Sequence, residues 1–330
     1  MPYTHLTPFE RYHVELLRQG GASIRAMARE LNRSPSTLSR ELKRNADNHN
    51  KYNAINAQQR YIGNRKRSRR PTLLPTRAPL REFVAAKLRE KWSPEQIANA
   101  LRRDFPRDAA MRISHESIYA FVYADKRAKG DLYKALRQGH RKRQRRGNAH
   151  QKRGLIPGRV SIAERPASVD TRFRSGHWEG DTMHGAHHKG GLVTLVERKT
   201  RVLLAAPITD FKARTINQAI QDAFRGMPAR FIRTLTLDNG KEFSGFKHLE
   251  ELLQADIYFA DPYSSWQRGT NENTNGLIRQ YLPKKTDLRN LDNAYLQNIV
   301  QALNNRPRKT LDHRTPAERF EQLTGVALHP

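Results

Sequence analysis

Three acidic side chains in the second half of the sequence could together hold divalent cations. Asp181 lies in HWEGDTM, Asp238 ends an apolar run in RTLTLDNGKEF, and Glu272 lies in DPYSSWQRGTNENTNGLIRQY. There are 56 residues between the first two acids and 33 between the last two. Carboxylate oxygens are the ligands that Mg²⁺ prefers. Two such ions can activate an oxygen nucleophile, neutralise a phosphate and stabilise the leaving oxygen of a phosphodiester.

The stretch around Glu272 predicts a helix that begins shortly before this acid. Glu272, Asn275 and Arg279 then share one face with Gly276, because they follow the spacing i, i+3, i+4 and i+7. Leu277 points away from that face and can pack. An acid on a polar helix face is usually only solvated, so the three acids must be considered together.

The three stretches resemble DDE transposases of the retroviral-integrase kind, and more narrowly the insertion sequence 30 family. The shared motifs are W-E-G-D-T at Asp181, L-D-N-G-x-E-F at Asp238 and P-Y-S-S-W-Q-R-G-T-N-E-N-T-N-G-L-I-R-Q-Y at Glu272. Leu237 stands where many integrase-like proteins have Ser, a departure that leaves the acid untouched. The resemblance implies two Mg²⁺ (or Mn²⁺) ions, with Asp181 bridging them and Asp238 and Glu272 each binding one. A general-base side chain is not required, because a metal lowers the pKa of bound water.

The composition is strongly basic. The chain has 330 residues, with 61 Lys and Arg against 32 Asp and Glu, a net charge of +29. Residues 1–150 hold 34 basic and 13 acidic residues, a net +21, and the rest a net +8. This surface favours a polyanion, with DNA or RNA as the first candidate and an anionic membrane surface as the competitor. We see no apolar run of 18 residues and no signal peptide. The absence of cysteine fits a reducing compartment.

Residues 8–44 predict a helix-turn-helix unit. A first helix ends at Gly20-Gly21, Ser23 can cap a second, and Ser34 with Pro35 can start a third. The outward face of the third helix is basic with hydroxyls at its start, which fits the major groove. The alternative is a three-helix bundle with an ordinary charged face. The candidate DNA-contacting residues on that face are Ser36, Thr37, Arg40, Lys43 and Arg44.

Composition shifts predict several domains, of which the second is also helical. In it, Ser93 begins a capping box and Ser114 can cap a further helix. The pattern resembles a second helix-turn-helix, although a bundle that packs on protein would read the same way. The two linkers are basic, and they either contact phosphates or are solvated tethers. The predicted divisions are 1–48 (helix-turn-helix), 49–79 (basic linker), 80–136 (second helical domain), 137–160 (basic linker) and 161–330 (catalytic domain).

The chain from about Val160 predicts an α/β domain, so the fold class is multidomain: all-α helix-turn-helix units followed by an α/β domain. The order is three strands, helix, strand, helix, strand, helix. The resemblance makes this a ribonuclease H-like, integrase-type fold. The predicted strands are Trp178–His184, Gly191–Glu197, Arg201–Pro207, Phe231–Leu237 and Ile257–Ala260.

Several neighbours of the three acids have alternative interpretations. Arg279 could contact a phosphate or be an ordinary surface cation. Asn239 could contact substrate or simply form the turn after Asp238. Glu179 and Glu242 flank two of the acids and are the residues most easily confused with them.

The resemblance implies a transposase that binds the terminal inverted repeats of its element and joins their 3′-hydroxyls to target DNA. Its partners are then double-stranded DNA and further copies of itself, as a dimer or tetramer. We expect no membrane partner and no small-molecule substrate. We expect the protein to be cytoplasmic and nucleoid-associated in a prokaryote. A catalytically silent DNA-binding regulator is the alternative. An RNA-cleaving nuclease would share the metal site, but helix-turn-helix units suit duplex DNA better than A-form RNA.

Overall fold

The computed structural model describes residues 5–46, 51–68, 73–137, 156–262 and 264–327. The chain divides into two compact units, Met1–Thr72 and Leu73–Pro330. Most of the second basic run, from residue 138 on, and Arg69 and Arg70 of the first lie outside the described residues. Within the described ranges, no helix is long and apolar enough to cross a membrane.

The N-terminal unit is helical, and its first three helices follow the predicted pattern. Val14, Met27 and Leu38 are buried in its core. The buried Arg11 donates from Nε to Glu41 Oε1 at 2.8 Å, which ties the first helix to the third. The helices are α1 (Pro8–Gln19), α2 (Ile24–Glu30), α3 (Pro35–Asn45) and α4 (Ala54–Ser68).

Helix α4 occupies part of the segment predicted as a basic linker, whose beginning has a possible helical pattern. Its apolar side packs, because Ala54 and Ala57 are buried, and Arg11 Nη1 donates to Gln58 Oε1 at 2.7 Å. Ser34 occupies the N-cap position of α3 as predicted, but its side chain caps no backbone N–H. The Ser34 hydroxyl lies instead 2.7 Å from the hydroxyl of Ser36.

The second unit begins with a helical part. The predicted capping box between Ser93 and Gln96 is present, and the Ser114 hydroxyl accepts from the backbone of Ser117. Ile97 and Ile118 are fully buried between the helices. The helices are α5 (Leu73–Thr76), α6 (Ala78–Arg89), α7 (Pro94–Asp104) and α8 (His115–Arg127).

A five-stranded sheet forms the centre of the rest of this unit, in the order β3-β2-β1-β4-β5. The strands β1, β2 and β3 are antiparallel neighbours, and β4 and β5 run parallel to β1. This is the ribonuclease H-like arrangement that the resemblance implied. The strands are β1 (His177–His184), β2 (Gly191–Glu197), β3 (Leu203–Ile208), β4 (Thr234–Leu237) and β5 (Asp256–Phe259).

Helices cover both faces of the sheet. One core includes Trp178, Ile220 and Phe246 and packs α9 and α10 on the sheet. The other includes Met183 and Leu296 and packs α11 and α12 on the opposite face. The helices are α9 (Ala213–Ala223), α10 (Phe246–Leu253), α11 (Gly269–Ile278), α12 (Asn293–Asn304) and α13 (Pro316–Thr324). Short 3₁₀ turns include Ala229–Phe231, Lys241–Phe243, Ser265–Arg268 and Lys309–Leu311.

Within the second unit, the start of α7 packs on the segment that follows α12. Gln96 donates from Nε2 to the carbonyl of Pro307 at 2.6 Å and accepts from Arg306 Nε at 3.0 Å. Lys309 Nζ lies 3.0 Å from Glu95 Oε1 at the edge of this contact. At least this face of the second helical domain therefore packs on protein, which was one of the two interpretations left open by the sequence.

We expect the stability of this fold to fall as the pH is lowered from about 6.5 to 4, because of His177. This imidazole is buried beside Thr234 Oγ1, 2.9 Å from Nδ1. Burial, followed by the positive charges of Arg233 and Arg198, lowers the pKa of His177 to about 4. The unfolded chain takes up a proton near pH 6.5, whereas the folded chain resists protonation until about pH 4. The loss should be at most about 3 kcal/mol of unfolding free energy.

Denaturant unfolding at pH 7, 5.5 and 4.5 measures this effect. His177→Asn keeps a polar partner for Thr234 and should flatten the pH dependence. His248→Asn, at an exposed histidine of α10, is the matched control and should leave it intact. An unchanged slope in the His177 variant would show that other groups cause the acid instability.

Candidate active site

The parallel pairing of β1 with β4 brings two of the predicted acids together. Glu179 on β1 is opposite Thr236 on β4, and the next residues on the same strand faces are Asp181 and Asp238. The guanidinium of Arg268 lies between the two carboxylates. Its Nη1 is 3.2 Å from Asp181 Oδ1 and its Nη2 is 3.4 Å from Asp238 Oδ2.

Each of these two carboxylates is held by the protein through one oxygen and faces the shared cation with the other. Asn275 Nδ2 donates to Asp181 Oδ2 at 2.8 Å. The backbone N–H of Gly240 donates to Asp238 Oδ1 at 3.0 Å. The remaining oxygen of each acid therefore points to one common position, which Arg268 occupies.

The two neighbouring carboxylates make this position favourable for a positive charge. Burial raises the pKa of Asp181, Arg268 lowers it, and the neighbouring Asp238 raises it again. A buried carboxylate beside a second carboxylate is costly unless a cation neutralises the pair. The two carboxylates therefore need a neighbouring positive charge, and in this structure the guanidinium of Arg268 provides it.

Glu272 lies in the first turn of α11, and its side chain is exposed. The buried Glu179 fixes this turn to the sheet, because its Oε2 accepts from the backbone N–H groups of Thr270 and Asn271 at 3.0 and 2.9 Å. A carboxylate at a helix N-terminus satisfies otherwise unpaired N–H groups and the helix dipole. Glu179 thus acts as an anchor for the helix that carries Glu272.

The donor set of Asp181 and Asp238 fits a hard divalent cation, because two carboxylate oxygens converge on a position that already attracts positive charge. Within the described part of the chain, no group of three or more His, Asp or Glu side chains is arranged to hold a metal. The structure therefore brings together two of the three predicted acids, and the ligand role of Glu272 stays a prediction.

The neighbouring residues have structural roles. Glu242 accepts from Thr182 Oγ1 at 3.0 Å, which holds the turn after Asp238 against β1. Asn239 accepts from Arg159 Nη1 at 2.7 Å and donates to the carbonyl of Ala260. These contacts support the interpretation of Asn239 as part of a turn.

Sequence reasoning missed Arg268 and Asn271. Asn271 donates from Nδ2 to the carbonyls of Glu179 and Thr194 at 2.8 and 3.2 Å, and so binds α11 to β1 and β2. Asparagine is a poor helix former. Its repetition in a helical stretch at 271 and 275 could have indicated buried side-chain hydrogen bonds. For Arg268, which precedes the helix, the sequence carries no comparable signal.

Arg279 is half-buried, and its Nη2 donates to the carbonyl of His184 at 2.8 Å. It therefore braces the end of β1, and contact with a phosphate stays a prediction. On α3, Arg40, Lys43 and Arg44 are exposed as expected, whereas Thr37 is half-buried. Arg40 Nε also donates to the carbonyl of Ser36 at 3.0 Å.

A ribonuclease H-like sheet with paired acids, in a chain that begins with helix-turn-helix helices, defines the integrase-like class of DNA-processing proteins. Residues 2–45 match the model of a helix-turn-helix domain, which indicates DNA as a partner. The chain is 41% identical to the transposase for insertion sequence element IS1086 of Cupriavidus metallidurans, over 97% of this chain and 95% of the relative. It is 42% identical to transposase InsI for insertion sequence element IS30A of Escherichia coli, over 98% and 85%.

A third relative, the transposase for insertion sequence element IS4351 of Bacteroides fragilis, is 38% identical over 97% of this chain and 96% of its own length. Among solved structures, the catalytic core domain of BIV integrase aligns with 45% of this chain and 95% of that chain, at 20% identity and a TM-score of 0.35. The chain belongs to the insertion sequence 30 family of transposases.

Proposed function

We propose that this protein is a DDE transposase that cuts the ends of its own insertion sequence and joins them to target DNA. The observation that carries the proposal is the convergence of Asp181 and Asp238 on one cation position in a ribonuclease H-like domain. Near full-length similarity to named transposases supports it.

Two divalent ions, Mg²⁺ or Mn²⁺, are the cofactors that we propose for this site. Asp181 and Asp238 would hold them through the oxygens that now face Arg268, and Glu272 would complete the ligand set. When bound, such ions activate the attacking oxygen and stabilise the leaving 3′-oxygen. We propose that Asp181 is the ligand shared by both.

The chain's own residues orient the ligands and the substrate. Asn275 and the N–H of Gly240 each hold one carboxylate oxygen of an aspartate by a hydrogen bond. The second oxygen of each aspartate is therefore already oriented toward the cation position. Glu179 anchors the first turn of α11 to the sheet, and so fixes the position of the backbone that carries Glu272. Arg279 at the end of β1 is proposed to approach a phosphate of the bound strand.

The N-terminal helix-turn-helix is proposed to recognise the terminal inverted repeats. Its candidate contacts are on the exposed face of α3, where hydroxyls precede a run of cations. Two ends must be processed together, so we propose a dimer or tetramer on the DNA. The substrate is duplex DNA, which fits the expected nucleoid-associated location in the cytoplasm. The face in question carries Ser36, Thr37, Arg40, Lys43 and Arg44.

A supercoiled plasmid carrying a pair of inverted repeats tests the proposal. With Mg²⁺, we expect nicking and joining at the repeat ends, and with EDTA, none. Glu272→Gln removes the charge of the third acid while keeping its shape, and should abolish both products. Gel electrophoresis with mapping of the cut positions measures the result.

Glu251→Gln is the matched control, because Glu251 is an exposed acid on α10. This variant should cut and join like the wild type. Retarded but uncut plasmid with the wild-type protein and Mg²⁺ would contradict the proposal and favour the DNA-binding regulator.

A further inference from the structure

A cavity of about 750 Å³ lies between the helical part and the catalytic part of the second unit. Its walls come from the start of α7, from α8, from α11 and from the segment after α12. Two kinds of side chain dominate its chemistry. The cations are Lys91, Arg137, Arg306, Arg308 and Lys309, the aromatic rings are Trp92, Tyr119, Tyr123 and Tyr133, and the one acid among the described lining residues is Glu95.

Lys309 pairs with Glu95 at 3.0 Å, but two arginines of this cavity lack counter-charges within the described part of the chain. Among the described residues, neither Arg306 nor Arg308 forms an ion pair with a carboxylate. Arg306 bonds instead to neutral amide oxygens, those of Gln96 and Gln280, at 3.0 and 2.8 Å. The Nε of Arg308 is buried and has no hydrogen-bond partner. Burial lowers the pKa of Arg306 to about 10 and that of Arg308 to about 9, as expected where positive charges are confined without anions.

The aromatic residues form a stacked pair on α8. Tyr119 and Tyr123 are one helical turn apart, with ring centroids 6.2 Å apart and planes at 17°. Both are only partly buried, whereas Ile118 and Val122 beside them fill the helical core. The rings therefore leave aromatic surface on the side of α8 that lines the cavity.

Arg137 connects the cavity with the candidate active site. Its Nη1 lies 3.3 Å from Asn273 Oδ1, and Asn273 directly follows Glu272 on α11. A DNA strand held in the cavity would thus lie close to the helix that carries the third acid.

We propose that this cavity binds one or two unpaired nucleotides of the DNA that is being processed. Their phosphates would lie on Arg137, Arg306 and Arg308, and their bases would stack on Tyr119 and Tyr123. This inference rests on the proposed function, since it concerns the same DNA substrate. Proteins that bind single strands combine a basic groove with aromatic side chains in this way.

The size of the cavity fits an unpaired strand better than a duplex. Pockets for small molecules and cofactors span about 300–1,000 Å³, and the volume of this cavity lies within that range. A double helix, whose major groove alone is about 12 Å wide, needs an open surface. The cavity is instead enclosed on one side by α7 and α8 and on the other by α11 and the segment after α12.

Fluorescence anisotropy on the full chain in EDTA tests the proposal, with two labelled duplexes of one sequence. One duplex has a bulge of two unpaired nucleotides, and the other is fully paired. We expect the wild type to bind the bulged duplex about tenfold more tightly, within the range for base stacking on aromatic side chains. The double change Tyr119→Leu with Tyr123→Leu should remove the preference, and Tyr119→Phe with Tyr123→Phe should keep it.

Arg137→Gln provides a second, independent test, because Arg137 is exposed and its loss is compatible with folding. With a single-stranded oligonucleotide, this change should lower the slope of log affinity against log salt by about 0.7, the value for one phosphate. Arg225→Gln, at an exposed arginine of the catalytic part, is the control and should leave the slope unchanged.

The outcomes separate this proposal from the transposase function, because binding in EDTA requires no catalysis. Equal binding of both duplexes by the wild type, or a preference that survives in the leucine variant, would overturn the nucleotide site even if plasmid joining proceeds. If the wild type and the phenylalanine variant prefer the bulged duplex and the leucine variant does not, the nucleotide site is supported, even if plasmid joining failed.

Discussion

An Asp238→Asn variant should lose DNA cleavage and joining by about a thousandfold or more, while binding of the inverted repeats stays within about twofold. Metal ions contribute several kcal/mol of transition-state stabilisation, and each 1.36 kcal/mol is a factor of ten in rate. Asparagine keeps the acceptor for the Gly240 N–H but removes the charge that faces the cation position. Plasmid joining and repeat binding by gel shift, on the same preparations, measure the two effects separately.

Asp256→Asn gives the matched comparison, because Asp256 is an exposed aspartate that begins the neighbouring strand β5. It should keep both activities. If Asp238→Asn instead reduced repeat binding as strongly as joining, the acid would have to act in folding or DNA recognition, and its proposed role as a metal ligand would be wrong.

The resemblance of the motifs to a family singled out Asp181 and Asp238, and the local pattern around Asp238 predicted its place in the fold. An apolar run followed by Asp-Asn-Gly predicts a strand and then a turn, and the structure ends β4 at Leu237 with Asp238 in the turn. Strand β2 has the predicted bounds, and all its residues are buried, including Thr194 and Glu197. Strand β4 is shorter than predicted, because Ala229–Phe231 forms a 3₁₀ turn and Phe231 packs on Phe320, 5.9 Å between ring centroids.

The parts that could not be predicted depend on contacts between distant residues. Asn271 bonds to the carbonyl of Glu179, 92 residues away, and no local pattern indicates such a partner. The helix-turn-helix pattern around Ser93 gave the helices correctly, yet it could not show that Gln96 contacts Pro307, 211 residues away. For the same reason, helical periodicity located α8 without indicating that its tyrosines line a cavity.

Substitution of Arg268 should have the second large effect, a change in how strongly the protein binds metal. Its guanidinium neutralises two carboxylates that would otherwise repel each other, and it also donates from Nη1 to the carbonyl of Gly180 at 2.9 Å. Without metal, Arg268→Gln should lower the unfolding free energy by about 2 kcal/mol. This is less than the cost of breaking a fully buried pair, because the aspartates are 23% and 28% exposed.

The same variant should bind Mn²⁺ about tenfold more tightly than the wild type, since an ion no longer has to displace a positive charge worth roughly 1.4 kcal/mol. Calorimetric titration with Mn²⁺, and thermal unfolding in EDTA and in Mn²⁺, measure both effects without DNA. Arg279→Gln is the control, because Arg279 is a half-buried arginine that contacts a backbone carbonyl of β1. Equal Mn²⁺ affinity in all three proteins would show that Arg268 and the metal do not compete for Asp181 and Asp238. A gain confined to Arg268→Gln would identify this guanidinium as the group that fills the cation position until metal arrives.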